Sequence, residues 1–221
     1  MYNTALSILK EINGTGYIAY IVGGFVRDYI LGIKSTDIDI ATSATPDIIA
    51  SLYEVVEDNS RFGSLKIKKN NYIFEITTFR IELEYNNRFP KIEFTDSLIE
   101  DLKRRDFTIN AICMDEFESI IDLMGGIEDI EKKTIRSIGN VDIKLNEDPL
   151  RILRAIRFMG YLDFTLDESL EKSIIKNKEL IKTLSKKRIN SEISKMNKKS
   201  IDELKRLEID KYIKEELWKI K

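Results

Sequence analysis

The chain of 221 residues has no histidine, a single cysteine and three prolines. Without imidazole, neither a histidine general base nor a mixed Cys/His zinc site can be built. One cysteine, Cys113, excludes an internal disulfide framework and fits a reducing cytoplasm. No apolar run approaches the ~18 residues of a membrane span, so no membrane is expected as a partner. The opening Met1-Tyr2-Asn3-Thr4 has no basic lead into an apolar segment, and a signal peptide is not expected. Repeats, low-complexity tracts and long Pro/Gly/Ser linkers are also missing. What remains for chemistry is carboxylate, arginine, lysine and any metal they bind. A hydrophobic content of 43% supports a proper core, and 33% charged residues speak for a soluble chain. The net charge of −2 does not advertise nucleic-acid binding. From Lys172 onward, however, Lys and Arg outnumber Asp and Glu about two to one, which reads either as solvated helix faces or as a basic RNA-facing patch.

The most informative stretch runs from Tyr20 to Asp28 and on through Asp37-Ile38-Asp39-Ile40. Ile18 to Val22 is apolar and β-branched enough for a buried strand. Gly23 and Gly24 remove side chains where a backbone turns sharply or approaches another group closely. A helix over Phe25 to Leu31 opens at that turn with unpaired N–H groups, a disposition suited to anions, and Gly32 stops it. Arg27 adds a planar fork that matches phosphate oxygens. On a strand, Asp37 and Asp39 project to one face while Ile38 and Ile40 face the core. Paired carboxylates repel unless a cation joins them, and oxygen-only ligands suit Mg²⁺. Taken alone, Asp-x-Asp is equally a solvated strand end. Beside a phosphate cradle it points to metal-assisted phosphoryl or nucleotidyl transfer.

Gly-Gly-Phe-Val-Arg-Asp-Tyr-Ile-Leu-Gly followed by Thr-Asp-Ile-Asp-Ile-Ala-Thr closely resembles the signature of the tRNA nucleotidyltransferases. These are the CCA-adding enzymes of the bacterial and eukaryotic type, in the polymerase-β-like superfamily that also holds bacterial poly(A) polymerases. The resemblance implies an α+β protein. Its nucleotidyltransferase head, with a mixed sheet and helices, would occupy residues 1–139. An all-helical neck with a short, truncated Lys-rich helical extension would occupy 140–221. It also implies two Mg²⁺ ions on Asp37 and Asp39, CTP and ATP as substrates, and a tRNA 3′ end as acceptor.

Several further segments follow in chain order. Thr4 to Ile12 has helical spacing, and Thr45-Pro46 reads as a cap and first helical residue. Leu65–Lys69 and Tyr72–Phe79 alternate as a hairpin around Asn70-Asn71. Glu75 in the second of these strands reads either as a third catalytic carboxylate or as an ordinary strand-face residue. Residues 80–90, polar and weakly periodic, are expected to form a mobile surface loop. The resembling family carries a flexible loop here that it needs for adding the final A. Ser97-Leu98-Ile99-Glu100 has the form of a capping box. Leu102 to Ala111, with Arg-Arg-Asp-Phe-Thr-Ile-Asn, matches the family's second motif. That match implies Arg105 on the triphosphate, Asp106 on a ribose 2′-hydroxyl, and Asn110 among the nucleotide-binding residues. Read without it, the segment is a helix-terminal charge cluster closed by Asn110. Asp122 with Gly125-Gly126 reads as structural.

Asp148-Pro149 looks like a cap and first helical residue, after which Arg151, Arg154 and Arg157 recur every three residues. Such a stripe needs anionic partners, and nearby glutamates would serve. The family motif Glu-Asp-x-x-Arg implies instead that Asp148 and Arg151 read the incoming base. Cytosine and adenine each pair an exocyclic amino donor with a ring-nitrogen acceptor, which a carboxylate beside a guanidinium complements. Arg154 and Arg157 would steer phosphates or the switch from C to A. Ser185 and Ser200 are expected to cap the next helices, and Trp218 to close a last apolar stripe. Typical members continue into helical body and tail domains that grip tRNA, whereas this sequence stops at Lys221. The Lys-rich helices, a homodimer or a helper protein would then supply that grip. The nearest rival readings are a poly(A) polymerase or an enzyme adding only A or only CC. From a different class comes an inactive RNA- or nucleotide-binding module.

Overall fold

Strand β1 (Ala19–Val22) lies between helix α1 (Tyr2–Gly14) and helix α2 (Gly24–Ile30), and it is the axis on which the first half of the chain is assembled. The computed structural model describes residues 1–86 and 89–213, the side chains at 84–90 excepted. The expected Trp218 stripe therefore falls outside the described residues. Two compact units are present. One consists of Met1–Arg105 and Ile109–Ile127, the other of Asp106–Thr108 and the described residues from Glu128 onward.

In the first unit the chain continues through β2 (Asp39–Thr42), α3 (Pro46–Leu52), β3 (Glu54–Asn59), β4 (Ser64–Lys69) and β5 (Tyr72–Thr78). Strands β6 (Arg80–Asn86) and β7 (Phe89–Phe94) follow, then α4 (Leu98–Lys103), β8 (Ile112–Met114) and β9 (Ile120–Asp122). Seven strands form one mixed sheet in the order β3-β4-β5-β2-β1-β8-β9. Only β2 and β5 pair in parallel, and the connection between them passes through α3 and the β3–β4 strands. Ile21, Ile40, Ile67, Phe74 and Ile76 fill the sheet's buried positions, with Ile8, Leu9 and Ile12 of α1 equally buried. In β4 and β5 buried and more exposed positions alternate, which fixes their register, whereas β1 and most of β2 are buried on both faces. Cys113 on β8 is fully buried, and burial pushes its thiol pKa up to about 12.

The β4–β5 hairpin turns at Asn70 and Asn71, both with positive φ (48° and 65°). That is the backbone a two-residue hairpin demands and asparagine tolerates. Residues 80–90 depart from expectation. Instead of a loop, β6 and β7 pair antiparallel from Arg80 opposite Phe94 to Asn86 opposite Phe89, with a bulge between Glu82 and Glu84. A two-stranded ribbon outside the main sheet needs no fully apolar face, so its polar sequence gave little strand signal. Ser97 does precede α4, but its side chain makes no capping bond and Glu100 pairs with Lys103 at 2.6 Å instead, so the capping box does not form.

The second unit is helical apart from two short parallel strands, β10 (Thr134–Ile135) and β11 (Thr165–Leu166). Helix α5 (Gly126–Glu131) spans the join between units, and Asp122 accepts from the backbone N–H groups of Gly126 and Ile127, a structural role as expected. Helices α6 (Val141–Glu147), α7 (Leu150–Leu162), α8 (Glu168–Asn177), α9 (Lys186–Ile193) and α10 (Lys198–Arg206) complete the unit. Ile152, Leu153 and Ile156 of α7 are fully buried, as are Leu170, Ile174 and Leu204. At Gly160 a Cβ would lie 2.0 Å from Ser200 Oγ and 2.8 Å from the Ser200 nitrogen, so α7 and α10 approach at a distance only glycine allows. Ser185 caps α9 as expected. The cap of α10 is Asn197, which accepts from Ser200 N–H at 3.0 Å, while Ser200 itself is buried inside the helix. The cap expected at Ser200 thus falls three residues upstream, on an asparagine that serves as well as serine.

Candidate active site

Asp39 opens β2, and in the parallel pairing of β2 with β5 it stands opposite Glu75. Asp37 precedes the strand rather than belonging to it. The alternation nonetheless carries through, with Asp37 and Asp39 exposed and Ile38 and Ile40 buried. Glu75 Oε1 accepts from Ser64 Oγ at 2.8 Å, which orients its carboxylate from the neighbouring strand β4. Asp39 is exposed, yet it lies in the wall of a cleft. Protein crowded around it strips hydration, the negative charges of Asp37 and Glu75 add to this, and its pKa rises from 3.8 to about 6 although Arg105 opposes the shift.

Asp39 and Glu75, but not Asp37, line this cleft of about 400 Å³, which is also lined by Ser64, Arg80, Arg104 and Arg105. Negative charge sits along one part of its wall and guanidinium groups along another. Behind the arginines lies Asp101, fully buried on α4. Its Oδ1 accepts from Arg104 Nε at 2.8 Å and from the Arg80 backbone N–H at 3.3 Å, and its Oδ2 accepts from Arg105 Nη2 at 3.1 Å. Burial alone would raise the Asp101 pKa, but Arg104 and Arg105 outweigh it and hold the carboxyl below its ordinary value. Burial in turn lowers the Arg104 guanidinium to about 10 against the pull of Asp101. Sequence reading missed Asp101, because an acid in the first turns of a helix looks like ordinary dipole complementation.

The glycine turn lies in the same unit. Gly23 has φ 84° and ψ −137°, a conformation denied to other residues. A Cβ there would lie 3.8 Å from Arg105 Nη1, which places that guanidinium edge beside the turn. At Gly24 a Cβ would make only an ordinary 3.6 Å contact with Arg27, so nothing within the chain demands glycine there. Arg27 itself is turned inward and only 4% exposed. Its Nε and Nη2 donate to Asp28 Oδ1 at 2.9 and 2.7 Å, and Nη1 donates to Asn110 Oδ1 at 2.6 Å. Arg27 and Asn110 thus brace the turn from within.

In the helical unit the arginine stripe of α7 finds a separate carboxylate for each member. Arg151 donates to Glu147 at 2.9 Å and to the Lys144 carbonyl at 2.7 Å. Arg154 pairs with Asp106 at 2.6 Å, and Arg157 with Glu192 at 2.6 Å. Asp148 accepts from the Leu150 N–H at 3.1 Å, although Pro149 and not Asp148 takes the cap position of α7, and both its carboxylate oxygens accept from the single Arg188 Nη2 at 2.8 and 2.9 Å. Asp148 and Arg151 are therefore neighbours on one helix start, each joined to a different partner. Glu147, Arg188 and Glu192 were not singled out from sequence, and Arg188 stands forty positions from Asp148 with no local signal to link them.

Residues 19–136 match the family described as Poly A polymerase head domain. The chain belongs to that family. Among relatives of this head-family protein, the CCA-adding enzyme of Geobacillus thermodenitrificans is 43% identical over 198 residues, which is 88% of this chain and 49% of that protein. The crystal structure of the Bacillus stearothermophilus CCA-adding enzyme in complex with CTP superposes with a TM-score of 0.83 at 39% identity, covering 88% of this chain and 48% of that one. A tRNA nucleotidyltransferase complexed with a primer tRNA and an incoming ATP analogue gives 0.77 at 30% identity, covering 94% and 62%. The chain thus spans about half the length of the curated relatives it matches. The α+β class and the mixed-sheet head expected from the sequence are those of the structure.

Among the described residues no three His, Cys, Asp or Glu side chains are gathered tightly enough to hold an ion by themselves. Asp37 and Asp39 nonetheless offer hard oxygen donors, and the charges of Asp37 and Glu75 add to lost hydration in raising the Asp39 pKa, a field that a cation would relieve. Such a pair suits an ion that completes its coordination with phosphate oxygens and water, as Mg²⁺ ordinarily does.

Proposed function

We propose that this protein is a template-independent nucleotidyltransferase that adds C, C and A to tRNA 3′ ends from CTP and ATP. The observation that carries the reading is the pairing of Asp39 with Glu75 on adjacent strands, in a cleft also lined by Arg80, Arg104 and Arg105. Asp37 and Asp39 would hold two Mg²⁺ ions. Bound there, the metal would favour ionisation of the attacking 3′-hydroxyl and offset charge on the departing pyrophosphate. The hydroxyl oxygen bonds to the α-phosphorus, the bond from that phosphorus to the bridging oxygen breaks, and pyrophosphate leaves. Glu75, oriented by Ser64, holds the attacking hydroxyl. Arg105 holds triphosphate oxygens beside the Gly23-Gly24 turn, where the missing Gly24 side chain leaves room for them. Arg27 and Asn110 shape that turn from below. Asp106, fixed by Arg154, accepts from the ribose 2′-hydroxyl.

In the helical unit Asp148 and Arg151 select the base, and Arg157 sets the helix they stand on. A wrong base leaves buried polar groups unpaired at about 1–3 kcal/mol each, enough for useful rejection without a nucleic-acid template. The test uses tRNA lacking its CCA end, incubated with each nucleoside triphosphate and sized on a gel. Addition of C, C and A supports the reading, and Asp39→Ala is expected to abolish incorporation while nucleotide still binds. A ladder of A alone would instead identify a poly(A) polymerase, the activity for which the matching family is described. Nucleotide binding without pyrophosphate release would identify an inactive module.

A further inference from the structure

Asp101 is a fully buried carboxylate on a short helix otherwise suited to an apolar residue, since Leu102 beside it is equally buried. Burying a charge is unfavourable unless its partners repay the lost hydration. Here the partners come from two directions. Oδ1 takes Arg104 and the backbone N–H at the root of β6, while Oδ2 takes Arg105. The Arg105 side chain is consequently held by one edge. Its Nη2 is bonded to Asp101, its Nε is buried with no hydrogen-bond partner, and its Nη1 lies beside the Gly23 turn. Arg80 repeats the pattern. Its Nη1 donates to the Phe62 carbonyl, its Nη2 to Glu82 at 3.3 Å, its backbone N–H is bonded to Asp101, and its Nε is likewise buried without a partner among the described residues. A guanidinium left with an unmatched donor is held by its surroundings rather than by its own best hydrogen bonding.

We propose that Asp101 is a positioning residue that fixes Arg105 in its phosphate-gripping orientation before nucleotide arrives, and that it anchors the β6–β7 hairpin on the same carboxylate. This rests on the reading of Arg105 as a triphosphate ligand. Asp101 touches no substrate. It acts by removing the rotamer freedom that Arg105 would otherwise lose on binding, so its effect is on affinity for phosphate groups and not on base choice.

The test is a mutant cycle read by calorimetry with Mg²⁺ and inorganic tripolyphosphate, a probe that carries no base or sugar. Arg105→Met and Asp101→Asn are each expected to weaken binding about tenfold or more, and the double variant to bind no more weakly than Arg105→Met alone. Discrimination between CTP and UTP is expected to be unchanged in Asp101→Asn. Additive losses, or full affinity in Asp101→Asn while Arg105→Met is weakened, would overturn the positioning role and leave the phosphate role of Arg105 standing. Full affinity in Arg105→Met would remove both. Should Asp101→Asn not fold, side-chain ¹⁵N NMR of the unaltered protein decides the matter. Restricted rotation of the Arg105 guanidinium without nucleotide is required, and free rotation overturns the proposal.

Discussion

Asp39 and Glu75 stand directly opposite one another at the only parallel junction of the main sheet. Loss of hydration raises the Asp39 pKa most, and the nearby charges of Asp37 and Glu75 raise it further. Glu75→Gln removes one of the charges that raise it, so the Asp39 titration midpoint should fall from about 6 toward 3.8, as should that of Asp37→Asn. Carboxyl ¹³C shifts followed against pH in metal-free protein measure this directly. A midpoint indifferent to both substitutions would mean that loss of hydration alone sets it.

The same shift carries a stability consequence of definite sign. Between 3.8 and about 6 the folded protein holds a proton at Asp39 that the unfolded chain has lost. Stability therefore falls as pH rises through that window and stays lower above it. Asp39→Asn escapes the penalty, so it should be more resistant to denaturant than the parent near neutral pH, with the advantage gone below about pH 4. Urea unfolding at the two pH values checks this. An Asn variant less stable at neutral pH would show that Asp39 is a structural residue.

Arg188 holds Asp148 by both carboxylate oxygens in a partly exposed pair. Arg188→Ala should change stability by no more than about 1 kcal/mol. It should, however, release Asp148 from its set orientation and raise misincorporation of U and G relative to C and A. Because a single nitrogen spans both oxygens, Arg188→Lys keeps the charge and one such donor and should restore much of the selectivity. Ratios of kcat/KM for CTP and UTP in the three proteins provide the measurement.

Arg151 is 7% exposed and tied to Glu147 and the Lys144 carbonyl. Arg151→Ala should loosen the C/A preference with little effect on binding of inorganic tripolyphosphate, since the base and not the phosphate is its target. Unchanged rejection of UTP and GTP would refute its role in selection.

At Gly160 helix α7 leaves no room for a side chain against α10. Gly160→Ala forces apart Asn197 and Ser200, the cap and first turn of α10, and should destabilise the protein by about 1–3 kcal/mol. Chemical denaturation reports the loss. An alanine variant as stable as the parent would show that α10 yields without penalty.

The features legible in the sequence are those whose determinants lie within a few residues. The Asn70-Asn71 turn, the Gly23 bend and the Ser185 cap each need only their own neighbours. The carboxylate pair was legible for the same reason, although Asp37 lies just outside the strand. What could not be read depends on partners far along the chain. Asp148 and Arg188, Arg157 and Glu192, and Arg154 and Asp106 meet only once the helices have assembled. The β6–β7 ribbon was hidden because a pair of strands outside the main sheet imposes no alternation on its sequence. Asp101 was hidden because its value lies in which arginines it gathers, and position on a helix does not reveal that.

The lone thiol of Cys113, sealed within β8 and with its pKa raised to about 12, will ignore alkylating reagents at neutral pH. The native chain is therefore already silent to maleimide chemistry. A cysteine introduced at exposed Phe117 or Ile143 would be its sole labelling handle, and a dye placed there could report nucleotide arrival without rebuilding the protein first.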